Sequence, residues 1–86
     1  MSLTYQLTLN RDAVKFIAKQ ERAVQERIRK SLMGLTVRPP FGDIRPLKGY
    51  DKRFRLRVGN FRILFEINHK EQVIYILAID NRGDVY

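Results

Sequence analysis

The sequence predicts an α+β domain: an N-terminal strand, a helical hairpin, then a three-stranded antiparallel meander, with the helices packed on one face of a small sheet. Three observations carry that expectation. Apolar and polar residues alternate through LTYQLTL (3–9), the period of a half-buried strand. Between positions 11 and 36, apolar residues return at helical spacing. The C-terminal third then holds three strand-like runs, RFRLRV, FRILFEI and VIYILAI, separated by turn residues.

Taken in order, the opening strand sets Leu3, Tyr5, Leu7 and Leu9 on one face and Thr4, Gln6 and Thr8 on the other. Asn10 is placed to cap a helix, and Asp12 suits the positive end of its dipole. Val14, Ile17 and Ala18 form one apolar stripe. Val24, Ile28, Leu32 and Leu35 form another, and the polar KQER (19–22) between them marks the break. Arg22, Arg27, Arg29 and Lys30 fall on the outer, solvated side of these helices. The segment 37–52 holds all three prolines and two of the five glycines and reads as a long loop. VIYILAI (73–79) is apolar on both faces, which predicts a well-covered strand.

At 86 residues the chain is sized for one domain, 1–86, with one modest core. Hydrophobic residues make up 44%, enough to fold it. No apolar run is long enough for a membrane span, and the N-terminus lacks a secretory pattern. With no cysteine there is neither a disulfide framework nor a thiolate metal site, and a cytoplasmic location is expected. The net charge of +8 points to polyanionic partners, nucleic acid first.

That charge is concentrated. From Arg45 to Arg62 there are seven basic residues (Arg45, Lys48, Lys52, Arg53, Arg55, Arg57, Arg62) and one acid, Asp51. Gly59-Asn60 fits a two-residue hairpin turn. That turn sets Val58 opposite Phe61, Arg57 opposite Arg62, Arg55 opposite Leu64 and Arg53 opposite Glu66. Like charges directly opposite one another destabilise a sheet, so Arg57 and Arg62 call for an anion between them. Arg53 alone has an evident partner, in Glu66. If the last strand returns antiparallel to 61–67, its end brings Arg82 and Tyr86 toward Arg57 and Arg62. Guanidinium groups match phosphate oxygens in a forked geometry, and an aromatic ring beside them can stack on a base. His69 lies in the turn at the far end and reads as a surface residue. No histidine pair, carboxylate cluster or Gly-rich phosphate loop is present.

The order of these elements, together with LKGY, FRLRVGNFRILFEI and the closing RGDVY, resembles the RelE/ParE superfamily of bacterial and archaeal toxins over the whole chain. The resemblance implies a type II toxin neutralised by a cognate acidic antitoxin. Its RelE-like branch implies a ribosome-dependent mRNA endoribonuclease, an mRNA interferase, with the ribosome and mRNA as partners, no cofactor, no metal and no membrane. Its ParE-like branch implies a DNA gyrase inhibitor instead, and an inactive toxin fold serving only as a binding partner is a third reading. Carried onto this chain, Arg55 and Arg57 match the basic pair of the second strand and Arg62 the basic residue opening the third. Arg82 matches the arginine after the fourth, and Tyr86 the C-terminal tyrosine. In the nuclease reading Arg57, Arg62, Arg82 and Tyr86 are catalytic, while Arg45, Lys48, Lys52, Arg53 and Arg55 bind RNA or the ribosome. Some relatives carry lysines in place of Arg55 and Arg57. An arginine is a poor base, so the base stays open between Tyr86, a phosphate oxygen and ribosomal groups.

Overall fold

The computed structural model describes residues 4–81. Its elements are β1 (Gln6–Leu9), α1 (Arg11–Ala18), α2 (Arg22–Met33), β2 (Asp43–Pro46), β3 (Arg53–Val58), β4 (Phe61–Asn68) and β5 (Val73–Asn81). They form one five-stranded sheet in the order β1-β5-β4-β3-β2. β1 runs parallel to β5, and every other pairing is antiparallel. The helices cover one face.

The Asn10 cap is present: its side-chain oxygen accepts from the Ala13 amide at 2.9 Å. The same side chain donates to the Leu77 carbonyl on β5, so the helix start is tied to the sheet. The stripe expected on α1 is corrected. Ala13 is buried, with Phe16 and Ile17 packed beside it, while Val14 is 52% exposed. Steps of three and four from Ala13 set the inward side, and Phe16 meets Phe61 edge-on at 5.8 Å. On α2 the stripe is as expected, with Ile28 and Leu32 buried and Leu35 buried just beyond the helix.

The meander has four strands rather than three, because the segment read as a loop contains β2. Pro46 ends β2 at the sheet edge, where its missing amide donor costs no ladder bond. The chain enters β2 through Gly42 at φ 123°, where a Cβ would stand 2.6 Å from a Leu56 methyl. A side chain there is excluded both by the backbone and by that contact.

The β3–β4 hairpin has the expected register throughout, including Arg57 opposite Arg62 and Arg53 opposite Glu66. Gly59 takes the positive φ that the turn requires. β5 lies between β1 and β4, consistent with the covered strand its apolar character implied, and runs two residues past Ile79. Its register with β4 shifts between Leu64 and Phe65, which leaves Leu77 as the extra residue. That bulge moves the inward phase from Ile74 and Ile76 to Ile79, all buried. A strand that changes phase needs apolar residues in both phases.

Candidate functional site

The sheet face away from the helices carries the charge. Cross-strand register places its residues in rows. Nearest the hairpin turn, Asp43, Arg57, Arg62 and Asp80 follow one another across β2, β3, β4 and β5. The next row is Arg45, Arg55, Leu64 and Ala78. Beyond it, Arg53, Glu66 and Tyr75 lie in register.

In the first row the two arginines are neighbours and the acids stand outside them. Arg62 Nη2 donates to Asp80 Oδ2 at 3.2 Å. This corrects the expectation that Arg53 alone has an acidic partner. The apolar run that marks β5 in the sequence ends at Ile79, so periodicity stops one residue short of Asp80. Arg57 is exposed and lies opposite Asp43, whose carboxylate is 3.9 Å from Arg45 Nε. Asp80 orients Arg62, Asp43 turns toward Arg45, and the middle of the row stays doubly positive. Arg62 Nε, Asp80 Oδ1 and, one row on, Arg55 Nη1 are buried without a hydrogen-bond partner among the described residues. Such orphaned polar atoms cost free energy until a partner arrives, an acceptor for the two arginine nitrogens and a donor for the Asp80 oxygen.

Arg53 is held more fully, by Glu66 Oε1 at 3.1 Å and by the Tyr50 ring, whose centroid is 4.8 Å from the guanidinium carbon. Lys48 and Lys52 are exposed on the connection between β2 and β3. α2 adds one basic group that sequence reasoning assigned to a solvated face. Arg27 Nη1 lies 3.1 Å from the position a Cβ on Gly59 would occupy, so this cation reaches the hairpin turn. Helical periodicity marks Arg27 as outward but cannot say which turn it overhangs.

β5 ends opposite the start of β4, with Asn81 paired to Phe61 and Asp80 to Arg62. Arg82 and Tyr86 follow in the chain and lie outside the described residues. His69 is in the turn at the other end of β4, hydrogen-bonded to the Tyr5 hydroxyl at 2.7 Å. Among the described residues no cluster of three metal-ligating side chains occurs. No described helix is long and apolar enough to cross a membrane.

Two arginines in cross-strand register, one of them held by Asp80, can clamp one phosphate group from two sides. They stabilise charge that grows on its oxygens but do not take a proton at neutral pH.

Comparison with known proteins places this geometry in context. Residues 8–86 match the family model described as "ParE toxin of type II toxin-antitoxin system, parDE". A RelE-like toxin protein of Escherichia coli is 28% identical over 88 residues, spanning 98% of this chain and 92% of that protein. The fold is similar to that in the RelBE2 toxin–antitoxin complex of Mycobacterium tuberculosis, with a TM-score of 0.77 and 22% identity, covering 92% of this chain and 99% of that one. It is also similar to that in the archaeal RelE–RelB complex of Pyrococcus horikoshii OT3, with a TM-score of 0.74 and 27% identity, covering 93% and 97%.

Proposed function

The chain belongs to the ParE toxin family of type II toxin–antitoxin systems, within the RelE/ParE superfamily, and from that premise we propose that it is a ribosome-dependent endoribonuclease that cuts translated mRNA in the cytoplasm. The observation that carries this reading is the row in which Arg57 and Arg62 stand side by side between two acids. A pair of like charges held adjacent on a strand pair is a cost to folding and a fit for a phosphate.

The proposed reaction needs no cofactor. The ribose 2′-oxygen attacks the adjacent phosphorus as its proton leaves, and the bond from phosphorus to the 5′-oxygen breaks as that oxygen takes up a proton. Arg57 and Arg62 hold the non-bridging oxygens, where negative charge grows in the transition state. Asp80 keeps Arg62 aimed through Nη2, and Arg62 Nε is left without a partner as a donor for the phosphate. Tyr86 holds a base so that attack is in line, and Arg82 neutralises the departing oxygen. Arg45, Lys48, Lys52, Arg53 and Arg55 line the path of the strand. With arginines at 55 and 57, the base comes from Tyr86, a phosphate oxygen or the ribosome.

The partner that silences the toxin is an acidic antitoxin with an amphipathic helix. The described residues offer that helix an apolar groove of about 350 Å³ lined by Leu7, Leu9, Ile17 and Leu32, with Gln25 and the Glu26–Arg29 ion pair beside them. Solved relatives in this superfamily are held in complexes with antitoxins. Purification with the neighbouring gene product tests this: a chain that retains no acidic partner at equal expression counts against it.

The match to a ParE family description favours a second reading, gyrase inhibition without RNA cleavage. Primer extension on a translated message separates the two. The nuclease reading expects cuts confined to the translated region and absent with Arg62→Ala. Growth arrest with intact messages, and loss of supercoiling activity, would move the assignment to gyrase.

A further inference from the structure

Tyr50 is an aromatic ring exposed among cations. It sits on the connection between β2 and β3 and is 54% exposed, yet it is anchored. Its amide donates to the Leu47 carbonyl at 3.2 Å, and the preceding Gly49 takes a φ of 89° that closes the turn. One side of the ring is covered by the Arg53 guanidinium at 4.8 Å, and Arg53 is itself held by Glu66 at 3.1 Å. The ring is therefore a plate fixed from behind with its other side toward solvent. A plate already in place loses little entropy when something stacks on it.

The second observation is Arg55. It stands on the charged face two residues before Arg57, about 6.6 Å away at strand rise. Its register neighbours are Arg45 and Leu64, and neither side chain can accept a hydrogen bond. Arg55 Nη1 is correspondingly left without a partner among the described residues. Arg53, which backs the ring, stands two residues before Arg55 on the same face of β3. A fixed aromatic plate one side chain away from a half-buried guanidinium with a nitrogen to spare, with Lys48 and Lys52 on the same connection, is the pairing that binds a splayed nucleotide: base on ring, phosphate on cation.

We propose that Tyr50 and Arg55 form a nucleotide subsite next to the Arg57–Arg62 row, which stacks one base of a single-stranded RNA on Tyr50 and holds a phosphate of the same strand on Arg55. This subsite rests on the nuclease reading and adds to it a flanking nucleotide, held on the hairpin beside the scissile phosphate. Tyr50 is a positioning residue here, because it grips the substrate away from the reacting atoms.

The test uses the full chain and a short single-stranded oligoribonucleotide carrying 2-aminopurine, read by anisotropy for affinity and by base fluorescence for stacking. Tyr50→Ala is expected to weaken binding roughly tenfold or more, the scale of one lost base–aromatic stack, and to abolish the quenching. Tyr50→Phe keeps both. The salt dependence separates the two roles. Arg55→Gln is expected to lower the slope of log affinity against log salt by about 0.7, one phosphate contact on a single strand, while Tyr50→Ala leaves it unchanged. Tyr50 is exposed, so circular dichroism should show these variants folded.

Equal affinity for the native chain and Tyr50→Ala overturns the subsite, as does quenching that survives the loss of the ring. A chain that binds no RNA overturns it too, and so does a Tyr50 dependence seen only with an acidic peptide. Cellular cleavage tells this failure from that of the nuclease reading. Cuts lost with Arg62→Ala but unchanged in rate and position with Tyr50→Ala reject the subsite alone. Tyr50-dependent RNA stacking without cuts by the native chain rejects the nuclease reading.

Discussion

The two faces of β4 treat burial in opposite ways. Toward the helices, Phe61, Ile63, Phe65 and Ile67 are all buried; Phe61 meets Phe16 of α1, and the other three share a core cluster with the α2 stripe and β5. On the other face Arg62 and Glu66 are half-buried, each joined to a charged partner on a neighbouring strand. Because side chains alternate with a period of two, one strand serves a core and a charged surface with no residue shared between them. Stability is concentrated on the first face. The second can hold an unfavourable pair, Arg57 against Arg62, since the apolar side keeps the backbone in register. Acids one strand further out limit the repulsion without cancelling it.

The separation can be broken from either side. The largest effect is expected for Phe65→Ala, which opens a cavity in the core. It should cost about 3–5 kcal/mol in urea unfolding, with the dependence on denaturant unchanged. A loss under about 1 kcal/mol would show that this face is not the core. Next is Arg62→Ala. If the nuclease reading holds, cleavage falls roughly 10²- to 10³-fold, as for the loss of one transition-state donor, while unfolding shifts by less than about 1 kcal/mol. A stability loss as large as that of Phe65→Ala would erase the distinction between the faces.

A smaller effect sharpens the contrast within the charged face. A double-mutant cycle between Arg53→Ala and Glu66→Ala should give a coupling of about 0.2–1 kcal/mol, the range of partly exposed cross-strand pairs. The Arg57–Arg62 pair should give coupling of the opposite sign, because each cation is easier to hold once the other is gone. Favourable coupling between those two arginines would contradict the row as described.

The smallest effect belongs to neither face. Glu26 on α2 has its carboxyl held below the ordinary 4.5, first by a hydrogen bond from Arg29 and then by that residue's charge. A carboxyl depressed in the folded state contributes stability above its unfolded value, and that contribution disappears as pH falls through the folded value. Arg29 stays protonated across this range and adds no slope. Comparing urea midpoints of the native chain and Glu26→Gln should therefore show parallel behaviour above about pH 5.5 and a steeper decline of the native chain below about pH 4.5. The pair is solvent-exposed, so the difference is slight. A divergence that begins near neutral pH would assign the effect to some other group.

Much of this molecule was legible from local pattern. Alternation plus a two-residue turn was enough to place every pair of the β3–β4 hairpin, since a short turn leaves a single register. The α2 stripe and the Asn10 cap were equally local. What escaped was short or distant. β2 has four residues and ends in proline, so it carries too little pattern to stand out from a loop. The inward side of the eight-residue α1 was decided by what it packs on, because Val14 and Phe16 are both apolar enough to face a core. Arg27 reaches the hairpin turn because α2 crosses above it, a matter of packing alone.

The sequence by itself determined which residues share a face along each strand and helix, because side-chain direction follows backbone period within one element. Only the tertiary structure decided what stands beside the arginines. Asp43 flanks Arg57 because β2 adds to the sheet edge, and Asp80 reaches Arg62 through a register that shifts at a bulge. Tyr50 lies under Arg53 through the fold of a connection that has no period. Each of these contacts depends on the path of one segment relative to another, and that path is set by burial summed over the whole core.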